Sequence, residues 1–455
     1  MEEQKRQILN EDLRPLLWKF SMPSIIGMVL IALYNFVDTI FVGNAVGPDA
    51  IAGLTIVLPI LIFMIAIGLL TGVGAASIVS RSLGRGEVSR ASIAGGNAMV
   101  INILLDIIVI AFFYFFMDHV LSFLGASGEV LVYAKEYLSV MLFGFIFYTF
   151  TVNGNNIIRA EGKPRAAMYA MIIGACLNMI LDPIFIFVFG MGVRGVAIAT
   201  VISQVTGTAY ILLFFIFSNS VFKPKLPIFK IRKDVVREML TVGTPSFLME
   251  IIGSIMFLLF IRMVTKYGGD GYIAITGIGI RIIDLIFMPI LGISHGFAPI
   301  VGFNYGAKLY LRVKNVLKEA FIWTSAISAI GFIFMVLFPG VLINIFTNDQ
   351  SLVKDGVMPL RLIAMLAPLW SFPILGGTFF QAIGKAAPAL FITLSRELLF
   401  FVPAIFILPL FYGLLGVWIS WPVTDILSFA VTAGFLFREV KILNKYCLQP
   451  QKEMA

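Results

Sequence analysis

Ten ionisable side chains fall inside stretches of sequence that are otherwise apolar. The acids are Asp38, Asp106, Asp182, Glu250, Asp284, Glu397 and Asp425, and the bases are Arg262, Arg281 and Arg396. A charge held in hydrocarbon is costly unless it is paired or hydrated, so each is a candidate for ion or proton chemistry. Tyr34 and Asp38 are four residues apart, as are Asn178 and Asp182, and side chains at that spacing share one face of a helix. Pro183 follows Asp182 and loosens the backbone there. Two carboxylates close together and shielded from water do not easily both stay ionised, so one is expected to hold a proton near neutral pH. The same oxygens, joined by amide and hydroxyl oxygens, also suit a hard cation such as Na⁺. Asp38, Asn178, Asp182 and Thr200 are therefore the candidate ion-coupling set, with Asn155 beside them, and Tyr34 and Tyr137 are candidates for the cavity wall. The competing reading makes Asp38 and Asp182 mere helix caps or bridges; the bases of the first six predicted helices, Lys19, Lys135, Arg165 and Arg194, lie toward their ends, which favours the functional one.

The later acids invite separate readings. Arg281 and Asp284 are three apart and can neutralise each other on one helix, as a structural pair or as part of a cavity. Glu250, near the middle of its helix, is a candidate counter-charge for a cationic ligand. Arg396 and Glu397 are adjacent and are expected to point to different faces, with Asp425 a candidate partner for Arg396. Asp106 with Asn102 either extends the polar network of the first half or is structural. Arg262 receives no role.

The elements that position these residues follow from composition. The chain has 455 residues, 60% hydrophobic and only 13% charged, against about 25% charged in soluble domains. Apolar blocks such as Met99–Phe116, Met168–Gly190 and Leu398–Leu415 match the ~20 residues that cross a bilayer core of about 30 Å. Twelve helices are expected near 16–42, 51–78, 91–117, 127–158, 165–189, 193–218, 236–265, 273–300, 314–340, 352–380, 388–411 and 414–437. The fold class is thus an all-α polytopic membrane protein. Lys and Arg gather in alternate connections, notably Arg81, Arg85 and Arg90, Arg159, Lys163 and Arg165, and Lys308, Arg312, Lys314 and Lys318. That bias places both termini in the cytoplasm. The net charge of +8 is explained by topology, so no nucleic-acid partner is inferred. The charged amino-terminal turns do not read as a cleavable signal.

Cys176 and Cys447, with His119 and His295, fit no zinc, haem or iron–sulfur spacing, and no phosphate-binding loop motif occurs. No cofactor is expected, and an ATP-driven pump is disfavoured. The 43 Phe and 20 Met would suit a cavity for flat organic cations, although most must face lipid or neighbouring helices.

The chain also repeats itself at a spacing of 222 residues. Pro23-Ser24 recurs as Pro245-Ser246, Gly74-x-Ala76-x-Ile78-Val79 as Gly296-x-Ala298-x-Ile300-Val301, and Ala160-x-Gly162-Lys163 as Ala382-x-Gly384-Lys385. Six helices per half give both halves the same orientation, as two pseudo-symmetric bundles related about the membrane normal. The expected division is a first lobe over 1–218, a cytoplasmic linker over 219–235, and a second lobe with its tail over 236–455. The intramembrane charges do not repeat, so each lobe has its own electrostatic task. This is carrier architecture.

Leu33-Tyr-Asn-Phe-Val-Asp38, Arg159-Ala-Glu-Gly-Lys163, Leu177-Asn-Met-Ile-Leu-Asp-Pro183 and Phe380-Gln-Ala-Ile-Gly384 resemble the multidrug and toxic compound extrusion (MATE) family, in its DinF-like and MepA-like prokaryotic branch. The resemblance covers essentially the whole chain. It implies a two-lobed, twelve-helix antiporter in the cytoplasmic membrane. Its cargo would be small amphipathic, often cationic compounds, exported by a monomer in exchange for H⁺ or Na⁺. It makes Asp38 the coupling residue, with Asn178 and Asp182 on the fifth helix and Tyr34, Tyr137, Asn155 and Thr200 in support. Glu250 comes about one turn early for the acidic residue of the NorM-like branch, so no Na⁺ role passes to it. The rival readings are a flippase of lipid-linked oligosaccharides and an intramembrane aspartate hydrolase. Acids outnumber bases seven to three, against the basic cavity a flippase favours, and a whole-length repeat has no evident use in the hydrolase.

Overall fold

The computed structural model describes residues 2–45, 48–223, 230–269 and 271–448; the side chains of residues 2, 34–45, 48 and 49 lie outside the description. Sixteen α-helices follow one another: α1 (Glu2–Asn10), α2 (Leu13–Ala45), α3 (Pro48–Arg85), α4 (Val88–Phe123), α5 (Gly128–Ala160), α6 (Pro164–Pro183), α7 (Gly192–Phe217), α8 (Lys233–Gly268), α9 (Gly271–Gly306), α10 (Tyr310–Leu337), α11 (Pro339–Asn344), α12 (Gln350–Ala364), α13 (Ser371–Ala382), α14 (Ala386–Leu394), α15 (Val402–Tyr412) and α16 (Leu414–Leu448). Eleven spans are long and apolar enough to cross a membrane, and the bent pair Gln350–Leu369 and Ser371–Ala382 makes a twelfth. The protein is an all-α membrane protein of twelve spans, as its composition requires. The bend of 44° in that pair departs from the single helix expected over 352–380. Pro368 lies in the short 3₁₀ turn Ala367–Leu369, where its ring and missing N–H interrupt the α-helical ladder.

Two further spans carry a local underwinding defect. Pro183 is followed at once by the π-helical turn Ile184–Val188, the loosened backbone expected after Asp182. In the second half the π-helical turn is Ser395–Phe401, joining α14 to α15. The defects sit at different places in the two halves.

The repeat reappears as backbone geometry. α5 ends with Gly162 at φ +83°, where the Gly162 N–H donates to the Arg159 carbonyl and the Lys163 N–H to Ile158. Its partner after α13 is Gly384 at φ +80°, with the Gly384 N–H on Gln381 and the Lys385 N–H on Phe380. Both are helix terminations closed by a left-handed residue. At the ends of α3 and α9 the corresponding residues are Gly86 at +84° and Lys308 at +60°.

The residues fall into two compact units. One holds residues 1–9 and 26–251, the other 10–25 and 252–455. These units and the sequence repeat do not coincide. The opening stretch of α8 counts with the first unit, and the opening stretch of α2 with the second. Small residues make both dockings possible. Within the first unit a Cβ on Gly74 would run into the Met239 carbonyl, and one on Gly243 into the Leu70 carbonyl. Within the second, Gly296 meets the Ser21 backbone and Gly292 that of Ile25. Gly74 and Gly296 are repeat partners. Ion pairs hold the docked stretch of α8: Arg81 to Glu238 at 2.9 Å and Arg90 to Glu238 at 2.7 Å. The first unit's core runs through Val57, Ile60, Met64, Leu138, Phe145 and Val196, and the second unit's through Phe260, Ile282, Trp370, Phe401, Ile405 and Trp418.

Candidate functional site

In the first unit, α5, α6 and α7 pack pairwise. α6 turns Asn178 and Asp182 to the same side, and α7 presents Thr200. The Asn178 Nδ2 lies 3.3 Å from Asp182 Oδ1 and 3.3 Å from Thr200 Oγ1. Asn178 and Asp182 are buried, at 3% and 1% exposure. The amide is thus the hinge of the group: it donates to carboxylate and hydroxyl, while its own Oδ1 is buried without a hydrogen-bond partner. Asn155 on α5 is buried too, and its Oδ1 is likewise without a partner. Buried acceptors are ordinarily satisfied; the amide oxygens of Asn153 on α5 and Gln204 on α7 are bare as well. Tyr137, expected on the cavity wall, is buried and belongs to the first unit's core. Tyr34 and Asp38 fall on α2, but their side chains lie outside the described residues.

The remaining expectations divide. Glu250 on α8 is half-buried and makes no ion pair among the described residues. Arg281 and Asp284 on α9 are not brought together as an ion pair: Arg281 is exposed and Asp284 half-buried. Arg396, by contrast, pairs with Asp425, the partner expected for it, and also with Glu397, which was not. Its Nη2 reaches Asp425 Oδ1 at 3.3 Å, and its Nη1 bonds Glu397. The adjacent pair was expected to point to different faces. The π-helical winding of 395–401 changes the angular step between neighbours, and the two side chains meet. Trp370, at the bend between α12 and α13, donates from Nε1 to Asp425 Oδ2 at 2.9 Å. Trp370 gave no signal in the sequence, because its role depends on where the break places it.

Asp106 is the larger surprise. With Asn102 it forms a network with Thr71, Thr149 and Asn153, all five at 0% exposure. The i, i+4 spacing of Asn102 and Asp106 was legible; the three partners from α3 and α5 were not.

A long apolar multi-span chain, built as a repeated scaffold with unrepeated buried polar sites, is a membrane transporter. The family model MatE matches the chain twice, over residues 23–184 and 245–407, windows that begin at the repeat partners Pro23 and Pro245. The chain belongs to the MATE family. It is 30% identical over 404 residues to the multidrug export protein MepA of Staphylococcus aureus (strain NCTC 8325 / PS 47), with 88% of each chain covered. The MepA of Staphylococcus saprophyticus is 27% identical over 398 residues, again with 88% of each covered. Among solved structures, an outward-facing multidrug resistance MATE transporter superposes with a TM-score of 0.92 at 28% identity, covering 96% of this chain and 98% of the other. A Pyrococcus furiosus transporter of the MOP superfamily, for which reversed pocket polarity was taken to suggest a different function, superposes at 0.91 and 28% identity, with 96% and 98% covered.

Proposed function

We propose that this transporter is a secondary antiporter that exports small amphipathic, often cationic organic compounds in exchange for inward H⁺ or Na⁺. It would act as a monomer in the cytoplasmic membrane with both termini in the cytoplasm, and without a resident cofactor or nucleic-acid partner. The basic residues of alternate connections support that orientation. The names of the MepA relatives support drug export.

The observation that carries the coupling site is the Asn178–Asp182–Thr200 group, with bare buried oxygens on Asn178 and Asn155. A carboxylate, two amides and a hydroxyl are the oxygen donors a proton or a hard cation takes. Asp38 is assigned to the same task by its family motif. Binding of the ion neutralises the carboxylates and alters the hydrogen bonds of Asn178. The affinity for a cationic cargo falls with that charge, and cargo and ion exclude one another. A ligand shifts a two-state carrier only by its difference in affinity for the two states, so this competition is the coupling. Tyr34, Tyr137, Glu250, Arg281 and Asp284 are the residues proposed to meet the cargo.

Dye efflux from proteoliposomes under an imposed pH or Na⁺ gradient tests the reading. Wild type is expected to respond to one of the two gradients, and Asp38→Asn to lose gradient-driven export while still folding. Undiminished export by Asp38→Asn would remove that residue from the mechanism.

A further inference from the structure

The network around Asp106 lies at the junction of α3, α4 and α5, the two latter helices and α3 being packed on one another. Asp106 stands halfway along the 36 residues of α4, far from both ends of the span. Asn102 Nδ2 lies 2.7 Å from Asp106 Oδ2, and Thr149 Oγ1 lies 2.6 Å from the same oxygen. The Asn102 amide also reaches Thr149 Oγ1 at 3.0 Å. Thr71 donates to Asn102 Oδ1 at 2.8 Å and accepts from Asn153 Nδ2 at 2.8 Å. Asp106 Oδ1 is buried without a partner.

Every group facing this carboxyl is neutral: Thr71 from α3, Asn102 from its own helix, and Thr149 and Asn153 from α5. Among the described residues, the charged side chains of these helices sit toward their ends. They are Arg81 and Arg85 on α3, Arg90 and Asp118 on α4, and Glu129, Lys135, Glu136 and Arg159 on α5. Asp118, the nearest along α4, is about 18 Å away at ~1.5 Å per residue, and it is paired with Lys135 at 2.7 Å. Among the described residues no charge reaches in to balance an aspartate.

The hydrogen-bond accounting then favours one protonation state. An ionised Asp106 would bury a net charge in the middle of the span with one oxygen bare, and buried charge without a counter-charge is strongly disfavoured. A neutral acid keeps the bonds at Oδ2 and removes the buried charge, leaving Oδ1 as a bare but uncharged carbonyl oxygen. A proton on Oδ2 donates to Thr149 Oγ1, and the Thr149 hydroxyl turns its own proton to the Phe145 carbonyl, 3.1 Å away. One proton is added, one hydroxyl rotates, and no other group changes its protonation. Oδ1 then carries no formal charge.

We propose that Asp106 is a proton-binding site, occupied at neutral pH, distinct from the Asn178–Asp182 group. Loss of the proton would draw the Thr149 hydroxyl off the Phe145 carbonyl and onto the carboxylate. Occupancy is thereby written into the bonding between α4 and α5. The site goes beyond the antiport reading and holds whichever ion drives the carrier.

Infrared difference spectroscopy of the purified full-length protein tests it. At neutral pH one component of the protonated-carboxyl band should persist in Asp38→Asn and Asp182→Asn, vanish in Asp106→Asn, and shift in Thr149→Val. A band unchanged in Asp106→Asn, or one removed only by the Asp38 and Asp182 substitutions, overturns the proposal. Should Asp106→Asn not fold, Thr149→Val decides: a displaced band supports the site, and an unmoved one overturns it. Efflux measurements on Asp38→Asn leave this band untouched, so failure of the antiport reading and failure of the Asp106 site are separate results.

Discussion

Asp106 and Asp425 are buried to nearly the same extent, at 0% and 3% exposure, yet they keep opposite company. Asp425 in the second unit has a guanidinium beside it, an indole N–H on its other oxygen, and a second acid, Glu397, sharing the same arginine. Asp106 in the first unit has only amides and hydroxyls. The scaffold was duplicated, but the solutions for sinking a carboxylate were not. A group locked by an arginine resists changes in its charge. One held by neutral donors admits a proton without rupturing anything. The first unit thus buries a carboxylate among neutral donors, and the second ties one into an ion-pair cluster beside a bend.

Removing the arginine is the harshest test of that contrast. Arg396→Leu leaves Glu397 and Asp425 without their cation and should cost about 3–5 kcal/mol, read as a lowered unfolding midpoint in detergent. A loss below about 1 kcal/mol would erase the distinction between the two units. Next in size is transport: Asp182→Asn should lower gradient-driven efflux about tenfold or more, equivalent to some 1.4 kcal/mol of coupling, with the unfolding midpoint little changed. A smaller effect belongs to Asp106→Asn, which keeps the shape of a neutral acid and should alter stability by less than about 1 kcal/mol. A penalty as large as that of Arg396→Leu would mean the carboxylate is ionised.

The smallest effect lies outside the spans. Burial pushes the Glu161 carboxyl above its ordinary range, against the opposing pull of the Ser220 hydroxyl at 2.7 Å and of Lys163. A raised carboxyl helps the fold most at pH below its unfolded value and loses that help as pH rises through its folded value. Glu161→Gln should thus be neutral in acid and stabilising by under about 1 kcal/mol at neutral and alkaline pH. A pH-independent difference between the two proteins would contradict that placement.

Much of this was readable beforehand, for physical reasons. Span number follows from hydrocarbon thickness, and the helix ends at Gly162 and Gly384 from the freedom of glycine to take positive φ. Asn178 with Asp182, and Asn102 with Asp106, announced themselves by shared helix faces. Their partners did not: Thr149, Asn153 and Thr71 are ordinary residues until packing brings three helices together. An ideal helix parts Arg396 from Glu397, whereas the looser winding of 395–401 brings them together, and nothing in the sequence marks Trp370 without the break at Pro368. The docking of the first stretches of α2 and α8 leaves no periodic trace, although the glycines that permit it stood in plain view as repeat partners.

That docking has a historical side. Residues 10–25 count with the later unit and the opening of α8 with the earlier one. A six-helix ancestor built this way would have closed only as a pair, each copy lending its leading arm to its twin, as in domain-swapped dimers. Fusion of the twin genes would keep the loan inside one polypeptide. A lone half, truncated after Phe217, would then be left with a vacant seat at Gly74, ready to accept an arm supplied in trans.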